Sequence, residues 1–327
     1  MVNDTVVQTL LACREPSVQY WVHTRLLDES PETEVNRVLQ AEIRTSDRVN
    51  ILLSEQQPDG SIPHHAYFKW AGAHWVLAML AELGYPVGDA RLLPLREQEY
   101  AWLLGDHHTK EYEKKRRKFG PERIRRCASQ EGYAIFALHK LGLDDERLDV
   151  LLERLLECQW PDGGWNCDVS PAADTSSFHE SWIPLRTLAL LGNNRKDARL
   201  QEAACRAAEI FLQRGMFRRL HGGDIINPGF LTLHYPFYWR YTVLSGLIAI
   251  KEAGLIRDPR CSEALDWLQN RQLPGGGFPA DVKFYRVTEN PETSGSSLVG
   301  WGKASGKDMN EFVTAEALAV LHAAGRV

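Results

Sequence analysis

Close cysteine pairs and long apolar runs are both missing from this sequence. The six cysteines are scattered along 327 residues and include no Cys-x-x-Cys pair, so a disulfide framework is not expected. No stretch approaches the roughly 20 apolar residues that span a bilayer, and the first residues lack a basic region followed by an apolar one. These absences predict a cytoplasmic protein with no membrane span.

A strong overall charge is also missing. The chain holds 38 Lys and Arg residues against 43 Asp and Glu residues, for a formal net charge of −5. This balance gives no general attraction to nucleic acid, and no nucleic-acid partner is expected. Residues 110–126 depart from it, with nine basic residues against three acidic ones. Such a run is typical of a solvated face or of an anion site.

The main signal that is present is a repeat. Three heptads share a Gln, then three residues, a Gly, one residue and a large apolar side chain: QQPDGSI from Gln56, QWPDGGW from Gln159 and QLPGGGF from Gln272. Each follows an apolar stretch and precedes a helical pattern that ends near a glycine. Two weaker copies place His107 and Met216 at the Gln position. Together with an earlier helix near the N-terminus, these copies predict six helix pairs.

Simple physics explains the repeated residues. Glycine permits the positive φ of a tight return, proline stops a helix, and a glutamine amide can bond backbone groups left open at a helix end. A single helix pair cannot bury its apolar stripe, so neighbouring pairs stack and a closed ring buries them all. The sequence therefore predicts an all-α fold, an (α/α)6 toroid that forms one domain over residues 1–327.

The repeat resembles that of a known superfamily. The heptad from Gln159 resembles the QxxxGxW repeat of squalene and hopene cyclases, and the wider pattern is similar to the prenyltransferase and squalene oxidase repeat. The resemblance covers nearly the whole chain. It implies a terpenoid cyclase or prenyltransferase fold whose central cavity takes an isoprenoid or other apolar molecule, with a prenyl diphosphate as one candidate ligand and a protein partner left open. The DxDD motif of class II cyclases is absent.

The resemblance places the loops after the turns at the cavity mouth, and these loops hold the candidate site residues. The candidate acid, base or ligand groups are Asp168, His179 and Glu180. Aromatic and polar residues that suit the wall of a pocket for an apolar or cationic ligand follow other turns. These are Trp70, His74, Tyr235, Tyr238, Trp239, Arg240 and Trp301. Aromatic residues at helical spacing are also typical of core packing.

A metal site and an anion site are further hypotheses. Cys167, Asp168 and His179 offer the thiolate, carboxylate and imidazole donors that catalytic zinc uses. Protein prenyltransferase β-subunits hold zinc with Asp, Cys and His, so the resemblance makes zinc the candidate cofactor. Three arginines near the end of the basic run are candidates for anion binding because phosphate oxygens favour Arg forks. They are Arg123, Arg125 and Arg126.

Three functions fit these observations. The first is a transferase or cyclase that acts on an isoprenoid, and it predicts an apolar tunnel. The second is a carbohydrate-active α/α barrel in which Asp168 and Glu180 face each other across a polar groove. The third is a non-catalytic toroid that binds a ligand or a partner, and it predicts a cavity filled by its own side chains. In each, the long polar segment 279–310 is a lid or a surface loop.

Overall fold

A computed structural model describes residues 4–327, and α-helices dominate it. Numbered in chain order, the helices are α1 (Asp4–Leu11), α2 (Pro16–Arg25), α3 (Glu34–Arg44), α4 (Asp47–Leu52), α5 (Ala73–Leu83), α6 (Leu93–Leu103), α7 (Asp106–Phe119), α8 (Ala128–Lys140), α9 (Glu146–Glu157), α10 (Phe178–Arg195), α11 (Ala198–Leu212), α12 (Val243–Glu252), α13 (Ser262–Gln269) and α14 (Glu311–Ala323). Two short parallel strands, β1 (Arg286–Val287) and β2 (Ser296–Ser297), complete the regular structure of this part of the chain. The all-α prediction is confirmed.

Six of these helices form an inner layer, and each belongs to one predicted repeat. Helix α5 packs on α8, α8 on α10, α10 on α12, α12 on α14, and α14 on α2. The last contact joins the two ends of the chain, and Arg25 of α2 donates to Glu316 of α14 over 2.6 Å. Helices α3, α6, α9, α11 and α13 each follow an inner helix in the chain and pack against it. These contacts follow the chain order of the predicted helix pairs.

The three strong heptads form equivalent turns. The side-chain amide of Gln56 donates to Gly60 O over 3.0 Å, that of Gln159 to Gly163 O over 2.7 Å, and that of Gln272 to Gly276 O over 2.8 Å. The glycine in each has a positive φ, between 81° and 103°. The glutamine amide thus bonds a carbonyl inside the turn, whereas the sequence predicts a bond to backbone groups at a helix end.

The six inner helices surround a central space, here called the bore. Aromatic rings fill it at the end where the inner helices begin, here called the mouth. The rings of Trp70 and Tyr238 are stacked with centroids 3.7 Å apart, and Tyr235 stacks on Phe312 at 4.6 Å. All four residues are buried. Such contacts leave the rings of this layer packed against one another, as aromatic pairs in protein cores are.

Charged side chains fill the bore nearer the other end. Arg186 of α10 donates to Glu82 of α5 over 2.6 Å and to Glu252 of α12 over 2.5 Å. The Tyr133 hydroxyl of α8 donates to the same Glu82 carboxylate over 2.9 Å. Buried charges are tolerated when they are paired and hydrogen-bonded, and this network ties four inner helices together.

Within residues 4–327, no helix combines the length and apolar character that crossing a bilayer requires.

Candidate functional site

Two thiols and one carboxylate converge where α8 and α10 begin. Cys127 is the residue before α8, Cys167 lies in the loop after the turn from Gln159, and Glu180 is in the first turn of α10. Their two sulfur atoms and one carboxylate oxygen all lie within 4.8 Å of one another. In the described part of the chain, this is the group of His, Cys, Asp and Glu side chains with the spacing of a metal site.

Backbone donors at the start of α8 hold the carboxylate in position. The first amide groups of a helix have no partner inside that helix. Glu180 Oε2 accepts one of them, the Ser129 N–H at 3.0 Å, and also accepts the Ser129 hydroxyl at 2.9 Å. The other oxygen, Oε1, accepts the Cys167 thiol at 3.3 Å. Glu180 is therefore fixed from both sides, which suits a preorganised ligand.

The electrostatics of this cluster favour a cation. The Cys167 thiol has one proton, and when that proton is directed at Cys127 instead of Glu180 it lowers the pKa of Cys127. This alternative bond, together with burial and the Glu180 charge, raises the pKa of Cys167, and burial raises the pKa of Glu180. Three acidic groups thus compete for few protons in a confined space. A bound divalent cation would lower all three pKa values, since it stabilises every deprotonated donor at once.

The donor set fits zinc. Zinc in proteins takes sulfur, nitrogen and carboxylate oxygen ligands, and catalytic sites use three protein ligands and keep a fourth position open. Two thiols and a carboxylate meet that description. Burial raises the pKa of Tyr67, a hydrogen bond with Gln130 opposes that shift, and the charges of Glu180, Cys127 and Cys167 add to it.

The structure brings together only part of the predicted metal trio. Cys167 is in the cluster, whereas Asp168 and His179 lie outside it. Asp168 is exposed, and its carboxylate accepts the backbone N–H of Ser170 at 2.9 Å. His179 precedes Glu180 on α10, and a step of one helical residue turns its side chain by about 100° to another face. There its Nδ1 accepts the Tyr241 N–H at 2.9 Å.

These positions also bear on the other predicted roles. Asp168 is exposed in the loop before α10, whereas Glu180 is buried in the first turn of α10. The two carboxylates therefore do not face each other across an open groove. The carbohydrate-active hypothesis required that arrangement. Burial, and next the charge of Arg240, lower the pKa of His179 to about 4. His179 is therefore a neutral imidazole near pH 7.

Most of the predicted aromatic wall is packed in the core. Trp70, Tyr235, Tyr238 and Trp301 are each at most 5% exposed. His74 is also buried, and its Nδ1 pairs with the buried Glu99 carboxylate at 2.8 Å. A ligand could contact these side chains only if the rings separated from one another. A bore filled by the protein's own side chains is what the hypothesis of a non-catalytic binding protein predicts.

Two predicted wall residues remain accessible. Trp239 and Arg240 are half-buried on the segment that leads into α12. The Lys69 ammonium lies 5.1 Å from the centre of the Trp239 ring and 5.7 Å from the rings of both Tyr67 and Trp70. Burial lowers the pKa of Lys69. The accessible aromatic surface is therefore at the mouth, beside the thiol cluster.

Of the three predicted anion-binding arginines, Arg126 alone has an acidic partner within the described residues, and Arg125 keeps its buried Nε and Nη1 without a hydrogen bond there. Arg126 forms a bidentate ion pair with Glu131. Arg125 donates to Ala173 O over 2.7 Å and lies 4.3 Å from the centre of the Trp160 ring. Only Arg123 is exposed. The first half of the basic run forms the exposed helix α7, which agrees with a solvated face.

The long segment 279–310 covers the mouth on one side. Gly295 donates its N–H to Lys69 O, and Trp70 donates its N–H to Ser296 O at 2.9 Å. Trp301 is buried, and its backbone N–H donates to the Tyr285 hydroxyl at 3.0 Å. The segment therefore behaves as a folded cover over the start of α5.

Sequence reasoning missed Cys127, Tyr67 and Lys69. A usable signal was present, because inner helices of consecutive repeats are neighbours and their starting residues therefore meet at one mouth. Cys127 and Cys167 both stand at that end of consecutive units. Their separation of forty residues in the chain hides this proximity.

Comparisons with known proteins leave the function to be inferred from the site itself. No protein-family model matches the chain, and no curated protein matches it in sequence. Solved structures similar to it include the type II terpene cyclase MstE from Scytonema without ligand, at 17% identity over 88% of this chain and 99% of that chain, with a TM-score of 0.27. A variant of MstE with its product, merosterolic acid A, has 15% identity over 96% and 100% of the two chains and a TM-score of 0.27. Another variant, with geranylgeranyl dihydroxybenzoate as substrate, has 16% identity over 95% and 99% and a TM-score of 0.26.

Proposed function

We propose that this protein is a zinc-dependent enzyme that acts on an isoprenoid or another apolar substrate at the mouth of a helical barrel. The observation that carries the proposal is the convergence of the Cys127 and Cys167 thiols and the Glu180 carboxylate within 4.8 Å. Zinc, when bound there, supplies a Lewis acid that polarises a donor atom of the substrate. We expect the reaction to take place at the mouth, because aromatic and charged side chains of the protein itself fill the bore.

An apolar pocket near the cluster supports the choice of substrate. A pocket of about 610 Å³ lies between the start of α10 and the loop that follows α11. Phe178, Leu220, Ile226 and Phe230 give it apolar walls, and its polar lining includes Asp174, His179, Arg214, Arg219 and His221. Pockets of this size and composition suit the hydrocarbon part of a small molecule. The isoprenoid assignment additionally follows from the resemblance of the repeat.

The protein's own residues have separate tasks in this proposal. The Ser129 donors orient Glu180, and Glu180 in turn holds the Cys167 sulfur in place. Tyr67 and Lys69 exclude water from the side of the cluster that faces the bore, because both are at least partly buried there. The ammonium of Lys69 adds positive charge where an anionic centre on the substrate would be stabilised.

Metal analysis of the purified protein tests the proposal. We expect one zinc ion per chain by mass spectrometry, and loss of that zinc in Cys127→Ser, Cys167→Ser and Glu180→Gln. Cys205→Ser, at an exposed cysteine, and Asp168→Asn are the matched controls and should keep it. Absence of zinc both before and after incubation with a zinc salt would reject the metal and with it this mechanism.

A second candidate function follows from the packed bore. The stacking of Trp70 on Tyr238 and the Arg186 network leave the centre occupied by the protein's own side chains, as expected for a non-catalytic binding protein. Turnover assays separate the two functions. A zinc-loaded protein that binds prenyl compounds without converting them would favour the binding protein.

A further inference from the structure

One guanidinium near the mouth has no acidic partner. Arg240 lies between two rings, 4.9 Å from the centre of Trp239 and 3.9 Å from the centre of Phe284. Its Nε is buried and makes no hydrogen bond within the described residues. No carboxylate between residues 4 and 327 forms an ion pair with it. Leaving a cation unpaired in a half-buried position is costly, so such a group is typically retained to meet a ligand.

The guanidinium lines a small pocket that is separate from the thiol cluster. This pocket has a volume of about 250 Å³, and its basic lining residues are His179, His234 and Arg240. Asn227 and Phe284 also line it, and no Asp or Glu does so in the part of the chain that the structure describes. His179 and Phe230 form a shared wall with the larger apolar pocket.

The two histidines present opposite hydrogen-bonding groups to the pocket. His179 Nδ1 accepts the Tyr241 N–H, so the proton of the neutral ring is on Nε2, which is a donor. His234 Nδ1 contacts Pro236 O at 3.0 Å and must donate to it, so Nε2 is an acceptor. That Nε2 atom is buried and makes no hydrogen bond within the described residues.

His179 is uncharged, because its Nδ1 accepts the Tyr241 N–H and so carries no proton. His234 is uncharged near neutral pH, because burial, reinforced by the charge of Arg240, lowers the pKa of its imidazole to about 4. The guanidinium remains protonated, although burial lowers its pKa from the ordinary value. The pocket therefore carries a single positive charge, and a monoanion balances it, whereas a diphosphate would bring excess negative charge into an enclosed space.

We propose that the pocket formed by Arg240, His179 and His234 binds the carboxylate group of a small organic acid. The planar guanidinium matches a carboxylate in a two-bond fork. His179 Nε2–H adds a further donor, and His234 Nε2 accepts from a hydroxyl group of the ligand or from water. The apolar pocket beyond His179 and Phe230 takes the hydrocarbon part of the acid. This site does not depend on zinc, and it goes beyond the proposed function.

Binding of sodium hexanoate to the full-length, zinc-free protein tests this inference. We expect calorimetry to show one site for hexanoate and no binding of hexan-1-ol, and we expect inorganic pyrophosphate to bind more weakly than hexanoate. Arg240→Met should weaken hexanoate binding about tenfold or more, because it removes charge-assisted hydrogen bonds. Arg37→Met, at an exposed arginine of α3, is the control and should leave the affinity unchanged.

Two further measurements keep the test decisive. Arg240→Lys retains the charge but not the fork, so an intermediate loss of affinity is expected even if Arg240→Met folds poorly. Shifts of the Trp239 indole signal on adding hexanoate to the wild-type protein would place the ligand beside Arg240. Absence of hexanoate binding, equal binding of hexanol, or tighter binding of pyrophosphate would each overturn the assignment. Because zinc is removed throughout, these outcomes do not depend on the metal site.

Discussion

The Cys167 thiol donates a hydrogen bond to Glu180 over 3.3 Å, and the Cys127 sulfur lies within 4.8 Å of both groups. Cys127 directly precedes α8, Glu180 is in the first turn of α10, and Cys167 lies in the loop that leads into α10. This arrangement sets the order in which the thiols ionise in the metal-free protein.

We expect Cys127 to be alkylated before Cys167 in zinc-free protein, since a hydrogen bond from the Cys167 thiol to Cys127, when it forms in place of the bond to Glu180, lowers the pKa of Cys127 and raises that of Cys167. The pH dependence of iodoacetamide labelling, followed by peptide mass spectrometry, measures this order. Cys167→Ala should shift the labelling of Cys127 to higher pH, because the donor is gone. The exposed Cys205 is the internal reference. Faster labelling of Cys167 would contradict the assigned hydrogen bond.

Removing the central arginine of the bore should destabilise the protein strongly. Arg186→Met leaves the Glu82 and Glu252 carboxylates without their cation, and breaking a buried ion pair costs about 3–5 kcal/mol. Urea unfolding measures the free energy. Arg199→Met removes an exposed pair with Glu153 and should cost less than about 1 kcal/mol. Equal losses in the two variants would show that the network contributes no more than a surface pair.

The turn from Gln159 provides a test of backbone strain. Gly163 has φ +103°, and a Cβ at this position would come within 2.2 Å of Arg206 O. Gly254 also has a positive φ, +75°, but a Cβ there would meet nothing within 4 Å. We expect Gly254→Ala to cost about 1 kcal/mol of unfolding free energy. Gly163→Ala should cost clearly more, and similar costs would argue against the close approach.

Acid should destabilise the fold through His234. The pKa of this buried side chain is about 4 in the folded protein, compared with an ordinary value of 6.5. Between these values the unfolded chain binds a proton that the folded protein does not, so stability falls as the pH falls through this range. The loss from this group is at most about 3 kcal/mol.

The variant His234→Asn isolates this contribution. Its side-chain N–H can still donate to Pro236 O, but the residue no longer titrates. Unfolding free energies measured between pH 7 and pH 4 should therefore fall less steeply in the variant than in the wild-type protein. Parallel curves would mean that His234 takes up its proton equally in both states.

The repeat and its turns could be predicted because their determinants are local. A glutamine reaches a glycine carbonyl four residues later, so the bond at Gln159 follows from the heptad alone. The thiol cluster could be predicted only in part. The sequence identifies Cys167 and Glu180 as candidate site residues. It does not identify Cys127, because the position of Cys127 beside them depends on how α8 packs against α10. A difference of one residue on a helix separates Glu180, which faces the cluster, from His179, which faces Arg240.

The two carboxylate oxygens of Glu180 have different partners, so exchange of a thiol proton for a metal ion would affect only one of them. Oε2 is held by the amide and hydroxyl of Ser129 at the start of α8, whereas Oε1 faces the thiols. Replacing the shared thiol proton with a metal ion changes only what Oε1 contacts. The start of α8 keeps its contacts with Oε2 in both states, so the proposed metal site would be loaded and emptied without unfolding this end of the helix.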